Sequence, residues 1–452
     1  MASLRRISLP YHRDSCDLFA RLKHLPYPVL LDSAAPFSEF GRYDILCAQP
    51  EEVISLNTIN YDDINTFLIK TEQRLNQLCD HYSHNEELPF CGGAIGYLSY
   101  DLGEISQSIG GKQRASINPS TPLFHAGIYP WAIIVDHRLQ ECELVAQPGV
   151  NDATLAHIQK LIAMTLDTNP DPQAFKLLVP FRSTLNRIQY GKAFERIQNY
   201  IRAGDCYQIN LTRGFTAKFA GDPWLAYQGL RETAAAPFSA YLDLGSSQIL
   251  SFSPERLLSA NQAGHLQTQP IKGTAARDPD PEIDRALATA LQNSAKNRAE
   301  NVMIVDLLRN DFSKSCQASS VRTEQLCELQ SFRTVHHLVS TVSGQLRTDC
   351  KPFKALLNCF PGGSITGAPK QRAMEIIREI EPHRRNIYCG SVFYMGGGGK
   401  MDSNITIRSF VCADKVITGW AGGGIVADSE VEEEFTETET KIGKLLQALA
   451  DL

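Results

Sequence analysis

No stretch of about 18 apolar residues occurs in the chain, so no segment reads as a membrane-spanning helix. A basic excess is missing too. The 44 lysines and arginines face 50 acidic residues, a net charge of −6, which excludes the electrostatic footprint of a nucleic-acid binder. The opening MASLRRISLPYHRDS lacks the apolar core of a secretory leader. Twelve cysteines are scattered from Cys16 to Cys412 without one C-x-x-C pair. That argues against zinc ribbons and redox motifs, and reads as reduced, buried thiols of a cytoplasmic protein. A phosphate loop G-x-x-x-x-G-K-[ST] is also absent: GGGGKMD at 396–402 fails because Met401 follows Lys400, which leaves a nucleotide-dependent ligase without its main part. What the chain does have is 43% hydrophobic and 21% charged residues over 452 positions, enough apolar material for a large globular core.

The periodicities describe an α+β chain, mixed but richer in antiparallel sheet than a nucleotide-binding α/β fold. YPVLLDSA, GRYDILCAQP, GGAIGYLSYDL and AGIYPWAIIVDH read as strands between turn clusters. In YDDINTFLIKTEQRLNQLCDHY, Ile64, Phe67, Leu68, Leu75 and Leu78 recur at helical spacing. The stretch 165–188, rich in Pro, Asn and Asp, is the best boundary between domains. Beyond it, YGKAFERIQNYIRAGD predicts a helix stopped by Gly204, and a β-meander follows, AYLDL to QILSF and RLLSA to HLQTQPI. Glu255 ends one limb of that meander and Lys272 ends the last, so the two can reach one cavity, since neighbouring strands lie about 5 Å apart. One long helix is expected from Pro281 through EIDRALATALQNSAKNRAENVMIVDLLRND. Another is expected at TGAPKQRAMEIIREI with Thr366 as cap, and a last one at VEEEFTETETKIGKLLQALADL.

Several residues invite two readings each. Lys272, in QTQPIKGTAARDPDP, is either a solvated lysine or a nucleophile or anion-binding charge at a strand end. Glu434 and Glu437, at i and i+3, either complement a helix N-terminus or, with Glu300, bind a cation such as Mg²⁺. PGGSITGAPK and GWAGGGIVADS are either tight turns or sources of anion-binding backbone N–H groups. Arg408 is either an anion clamp or a strand residue facing solvent.

Taken together, GDCYQINLTR (204–213), SFSPERLL (251–258), PIKGT (270–274), RAENVMIVDLLRND (298–311), HHLVSTVSG (336–344), PGGSITGAPKQRAMEII (361–377), ITIR (405–408) and AGGGIVADS (421–429), in that order, resemble the chorismate-utilising enzymes. That family includes the anthranilate, isochorismate, salicylate and aminodeoxychorismate synthases. VLLDSAAPF, GRYDIL and GGAIGYLSYDLGE are similar to its N-terminal domain, so nearly the whole chain is covered. The resemblance implies an anthranilate synthase component I-like fold, with antiparallel sheets in a β-sandwich-like core flanked by helices. It implies an N-terminal domain over 1–170 and a chorismate-binding catalytic domain over 185–452.

Two positions select a branch. Isochorismate and salicylate synthases carry a water-activating lysine where this chain has Gln208, which implies ammonia as nucleophile. Anthranilate synthases carry alanine at the position of Lys272. A lysine there is the pattern of the aminodeoxychorismate-forming component I, on the p-aminobenzoate route to folate, with anthranilate synthase component I as the alternative. The resemblance then implies that neutral Lys272 attacks C2 of chorismate while Glu255 protonates the departing C4 hydroxyl, after which ammonia attacks C4 and expels the lysine. It implies Glu300 and Glu437 as Mg²⁺ ligands with Glu434 beside them. Gly273, His337 and Ser364 should line the ring, and Tyr388, Arg408, Gly423 and Gly424 should hold the enolpyruvyl end. Anthranilate synthases have a further acid three residues before Glu300, where this chain has Asn297. A partner glutamine amidotransferase subunit should supply the ammonia, since the chain carries no glutaminase cysteine motif. A tryptophan pocket is implied at Ser33, Phe40, Gly41, Arg42, Tyr43, Pro237, Phe238 and Ser239, with Asp32 in place of the family's glutamate. The pocket is either regulatory or purely stabilising.

Overall fold

The computed structural model describes every residue except 1–2, 36, 38–40, 58–60, 111–113, 115, 117, 165–173 and 333–334. Among the described residues the strands form two large sheets, and every pairing of the two is antiparallel. The larger sheet runs, in hydrogen-bonded order, Arg5–Leu9, Glu141–Ala146, Trp131–Asp136, Tyr43–Cys47, Val29–Asp32, Phe238–Asp243, Ser247–Ser253, Ser409–Ala413, Val416–Ile425, Gln208–Ala220 and Arg182–Ser183. The smaller runs Ile271–Ala276, Val335–Gln345, His265–Thr268, Arg256–Ala260, Met401–Asn404, Ser391–Gly396, Gly93–Leu98, Phe124–Tyr129 and Glu52–Leu56. Both sheets draw strands from either side of residues 165–188.

Strand alternation explains the layering. Val29, Ile45, Ile249 and Val411 belong to one apolar core, while their chain neighbours Leu30, Leu46, Leu250 and Phe410 belong to a second. Successive side chains of a strand point to opposite faces, so a strand buried on both sides reads as an unbroken apolar run. The first core also holds Tyr97, Ala126, Leu258 and Val392 of the smaller sheet, and so lies between the sheets. Behind the larger sheet, the second core is closed by Leu18 and Phe19 of helix Ser15–Leu22, Trp224 and Tyr227 of helix Pro223–Ala234, and Ile442, Leu445 and Leu449 of helix Val431–Ala450. Each such side chain contributes on the order of 1.5–3 kcal/mol by leaving water.

The predicted helix over the YDDIN segment is present as Tyr61–His81, with Ile64, Leu68, Leu75 and Leu78 buried. Three expectations need correction. The long helix after Pro281 is two, Pro281–Asn293 and Ala295–Ser313. Ser294 ends the first with an extended ψ of 108° and caps the second, accepting from Asn297 N. Thr366 does not start that helix: its hydroxyl donates to Gly362 O, it closes the short turn Gly363–Ile365, and the helix begins at Lys370 after Pro369. Lys272 does not end a strand. After the interruption at Pro270 a new strand runs Ile271–Ala276, and Lys272 sits near its start.

The chain passes between the sheets several times, and two of the passages lie side by side. It leaves the larger at Ser253 and enters the smaller at Arg256, and it returns between Asn404 and Ser409. Ser253 ties the crossings together: its hydroxyl donates to Ile405 O at 2.5 Å and accepts from Glu255 N at 3.2 Å, while Ile405 N donates to Glu255 O at 3.0 Å. Glu255 lies in one crossing and Arg408 in the other.

Candidate active site

At this seam lies a cavity of about 400 Å³. Local structure explains why each side chain faces it. The pairing of Ile271–Ala276 with Val335–Gln345 shifts register between Ile271 and Thr274, so Lys272 and Gly273 occupy a bulge. A bulge bends its strand and re-aims a side chain. Gly273 has φ +86°, and a Cβ there would stand 3.0 Å from Asn297 Cγ, so both the bend and the packing call for glycine. Arg408, at the return crossing, also takes a left-handed φ of +50°.

Ser364, in the short turn Gly363–Ile365, joins the acid to the amine. Its hydroxyl donates to Glu255 Oε1 at 3.2 Å, and its carbonyl accepts from Lys272 Nζ at 3.4 Å. Burial raises the Glu255 carboxyl above its ordinary range, against the opposing pull of the Lys272 charge. Burial lowers the Lys272 amine, with Lys441 adding to the effect and Glu255 and Glu300 opposing it. The pair is therefore pushed toward a neutral acid beside a neutral amine. His337 lines the same wall, its Nδ1 2.8 Å from Thr274 Oγ1, and burial lowers its imidazole to about 4. Tyr388 is buried and stacked on Trp420, with ring centroids 6.4 Å apart.

Helices Ala295–Ser313 and Val431–Ala450 bring Glu300, Glu434 and Glu437 to the cavity. Among the described residues no three acid, histidine or cysteine side chains converge into a preformed metal cluster. Glu437 pairs with Lys441 at 2.5 Å, and Glu434 Oε1 accepts from Ser429 at 2.7 Å. Glu434 Oε2, however, is buried with no partner. A free carboxylate oxygen among three acids in an open cavity fits a hard cation that keeps several waters, as Mg²⁺ does.

Of the residues the sequence singled out for this site, Glu255, Lys272, Gly273, Glu300, His337, Ser364, Tyr388, Arg408, Gly424, Glu434 and Glu437 line the cavity. Two do not. Gly423 lies under Glu434, where a Cβ would come 2.7 Å from Oε2, and Gly422 lines the cavity instead. Gln208 lies behind Gly424, where a Cβ would come 2.7 Å from Nε2. Lys296, Asn210, Trp420 and Lys441 line the cavity and were not foreseen. Lys441 was findable, since it follows Glu437 by four residues on the same helix face.

A second cavity of about 460 Å³ lies nearby, lined by Ser33, Arg42, Tyr43, Pro237, Phe238 and Ser239 of the expected tryptophan pocket. Gly41 does not line it but packs on Ser33, where a Cβ would come 2.5 Å from the carbonyl oxygen, and Phe40 lies outside the described residues. Asp32 also lines this cavity, but its carboxylate is taken up by Arg231 and Tyr227.

The model of a chorismate binding enzyme matches residues 5–447. The chain belongs to the chorismate binding enzyme family. Within the family it is 42% identical to an Escherichia coli K12 protein named aminodeoxychorismate synthase component 1, over 98% of both chains. It is 32% identical to anthranilate synthase component 1 of Bacillus pumilus, over 93% of this chain and 86% of that one. Among solved structures it is similar to anthranilate synthase component I of Streptococcus pneumoniae, with a TM-score of 0.79 at 30% identity, covering 90% of this chain and 93% of that one. The expected fold, with large antiparallel sheets flanked by helices, is therefore present. All twelve cysteines are free, and no described helix is long and apolar enough to cross a membrane.

Proposed function

We propose that the chain converts chorismate and ammonia to 4-amino-4-deoxychorismate through a covalent adduct on Lys272. The single observation that carries this reading is the juxtaposition of Lys272 and Glu255 about Ser364, each pushed toward its neutral form. The 42% identity to a relative of that name supports it. Anthranilate formation, the activity named for relatives at 31–36% identity, would leave the amine without a task.

Neutral Lys272 attacks C2 of chorismate, the two ring double bonds shift, and the C4 hydroxyl departs with the proton of Glu255. Ammonia then attacks C4, the double bonds shift back, and Lys272 leaves as the neutral amine. Two displacements give net retention at C4 and divide one hard step into two easier ones. Arg408, half-buried, Tyr388 and the backbone at Gly422 and Gly424 receive the enolpyruvyl end, while His337 and Ser364 line the ring. Glu300 and Glu437, with the free oxygen of Glu434, would hold Mg²⁺, which when bound supplies positive charge to the ring carboxylate of the substrate. The designation of the relatives as component 1 supports a second component. We take it to be a glutamine amidotransferase subunit that delivers ammonia.

Mass analysis of the product from chorismate, ammonium and Mg²⁺ tests the reading. Pyruvate release with an aromatic amine as the direct product would overturn it in favour of anthranilate formation.

A further inference from the structure

We infer that Asn210 holds the incoming ammonia, at a nitrogen subsite formed on the wall of strand Gln208–Ala220 and roofed by the glycines of Val416–Ile425. This rests on the C4-amination reading above. Asn210 lines the cavity, is 7% exposed, and its Oδ1 is buried with no hydrogen-bond partner. Its backbone is fixed on both sides: the N–H donates to Thr366 O at 2.9 Å, and the carbonyl accepts from Arg385 Nη2 at 2.7 Å. The side-chain oxygen is therefore positioned without being used. Gln208, two residues earlier and so on the same strand face, is also buried, with both amide atoms unpartnered. Opposite these amides the chain places glycine. Asn210 pairs with Gly424, and a Cβ at Gly422 would stand 3.0 Å from Asn210 Oδ1. Buried polar groups in folded proteins have partners with few exceptions, and an exception in a cavity wall points to a ligand.

The chemistry of the wall selects the ligand. The charged acceptors on the cavity are the carboxylates of Glu255, Glu300, Glu434 and Glu437. A carboxylate stabilises ammonium, which has no lone pair with which to attack. An amide oxygen accepts an N–H without that bias. Ammonia held by its N–H bonds on Asn210 Oδ1 keeps its lone pair free for C4. In that step the N–C4 bond forms, the C2–Nζ bond to Lys272 breaks, the ring double bonds shift back, and the new ammonium gives its extra proton to the Glu255 carboxylate left by the first step.

The test is Asn210→Leu, which keeps the volume and removes the acceptor. With ammonium chloride as donor, the KM for ammonia should rise roughly ten-fold or more, the scale of one lost hydrogen bond to a substrate. The KM for chorismate should stay within about two-fold of wild type, as should the rate of Lys272 adduct formation without ammonia, because both precede the amine step. Asn210→Ser, which restores a smaller acceptor, should recover part of the effect, and it carries the same reading if the leucine variant is insoluble. An unchanged KM for ammonia alongside normal adduct formation overturns the subsite alone, and so does a loss of kcat with that KM unchanged, the mark of an amide that merely holds a structural water. Absence of an adduct in the wild-type enzyme defeats the covalent reading instead, so the two failures are distinguishable.

Discussion

Pro254 and Ile271 line both cavities, and each is followed directly by a residue of the proposed chemistry, Glu255 or Lys272. The two spaces use their polar groups in opposite ways. Around the larger one the charges are paired: Asp32 with Arg231 at 2.6 Å, Arg256 with Asp402 at 2.9 Å, Arg42 with Asp136 at 2.9 Å. Around the smaller one, beside the Glu437–Lys441 pair, polar groups are left over: Glu434 Oε2 and Asn210 Oδ1 lack partners, and Glu255 and Lys272 are held toward their uncharged forms. Satisfied groups hold a shape for a ligand. Unsatisfied groups and displaced pKa values mark where bonds change. The sharpest test of this contrast is to remove one group from each wall.

Lys272→Ala should have the largest effect. Chorismate without ammonia should leave an adduct of chorismate minus water on wild-type Lys272, visible by intact-protein mass and located on the PIKGT peptide, and the variant should show none. Turnover should fall by roughly three orders of magnitude or more, short of abolition, because members of a catalytic unit are not additive. A lysine acting only as a positive charge would instead be replaced by arginine at modest loss. An active Lys272→Arg enzyme and an adduct-free wild type would break the comparison at its centre.

Next come Glu300→Gln and Glu437→Gln, each of which removes a charge and keeps the volume. Turnover should drop by about two to three orders of magnitude, the scale of one preorganised electrostatic group, and wild type treated with EDTA should fall comparably until Mg²⁺ is restored. Near-normal rates in both variants with EDTA present would remove the metal from the account. The pH profile follows in size. Lys272 must lose its proton to attack, so the rate falls as pH drops. Glu255 must keep its proton to give it, so the rate falls as pH rises. The profile of kcat/KM should be a bell with limbs of about ten-fold per pH unit that belong to the pair jointly. A rate still climbing through strongly alkaline pH would rule out Glu255 as the acid.

Much of this was legible in the sequence because it is local. Apolar spacing placed Tyr61–His81, and the linear motifs named eleven residues that line one cavity. What escaped was set by tertiary geometry. Ser294 interrupts a pattern whose helical periodicity continues through it, so spacing alone joins two helices. Gln208 and Asn210 differ in whether they face the cavity, although they share a strand face, because Gly424 covers one and not the other. The pairing of Lys441 with Glu437 was within reach, but its orientation toward Lys272 depends on how the last helix docks.

The smallest effect is expected at the larger cavity. If paired charges there only shape a binding space, tryptophan should stabilise the protein without much altering its rate. A ligand at 100 times its Kd adds about 2.7 kcal/mol to the folded state, so Tm should rise by a few degrees at saturating tryptophan. Phe238→Ala should abolish that rise. It removes an aromatic wall over which Arg256 stacks at 5.0 Å, and leaves the ion pair of Arg256 with Asp402 standing. Turnover at saturating tryptophan should change by less than about two-fold, because satisfied neighbours leave little for a ligand to redistribute. An unchanged Tm would remove tryptophan as the occupant. Inhibition of about ten-fold or more would show instead that Pro254 and Ile271 carry the state of one cavity to Glu255 and Lys272 in the other, and the wall would then be a lever rather than a partition.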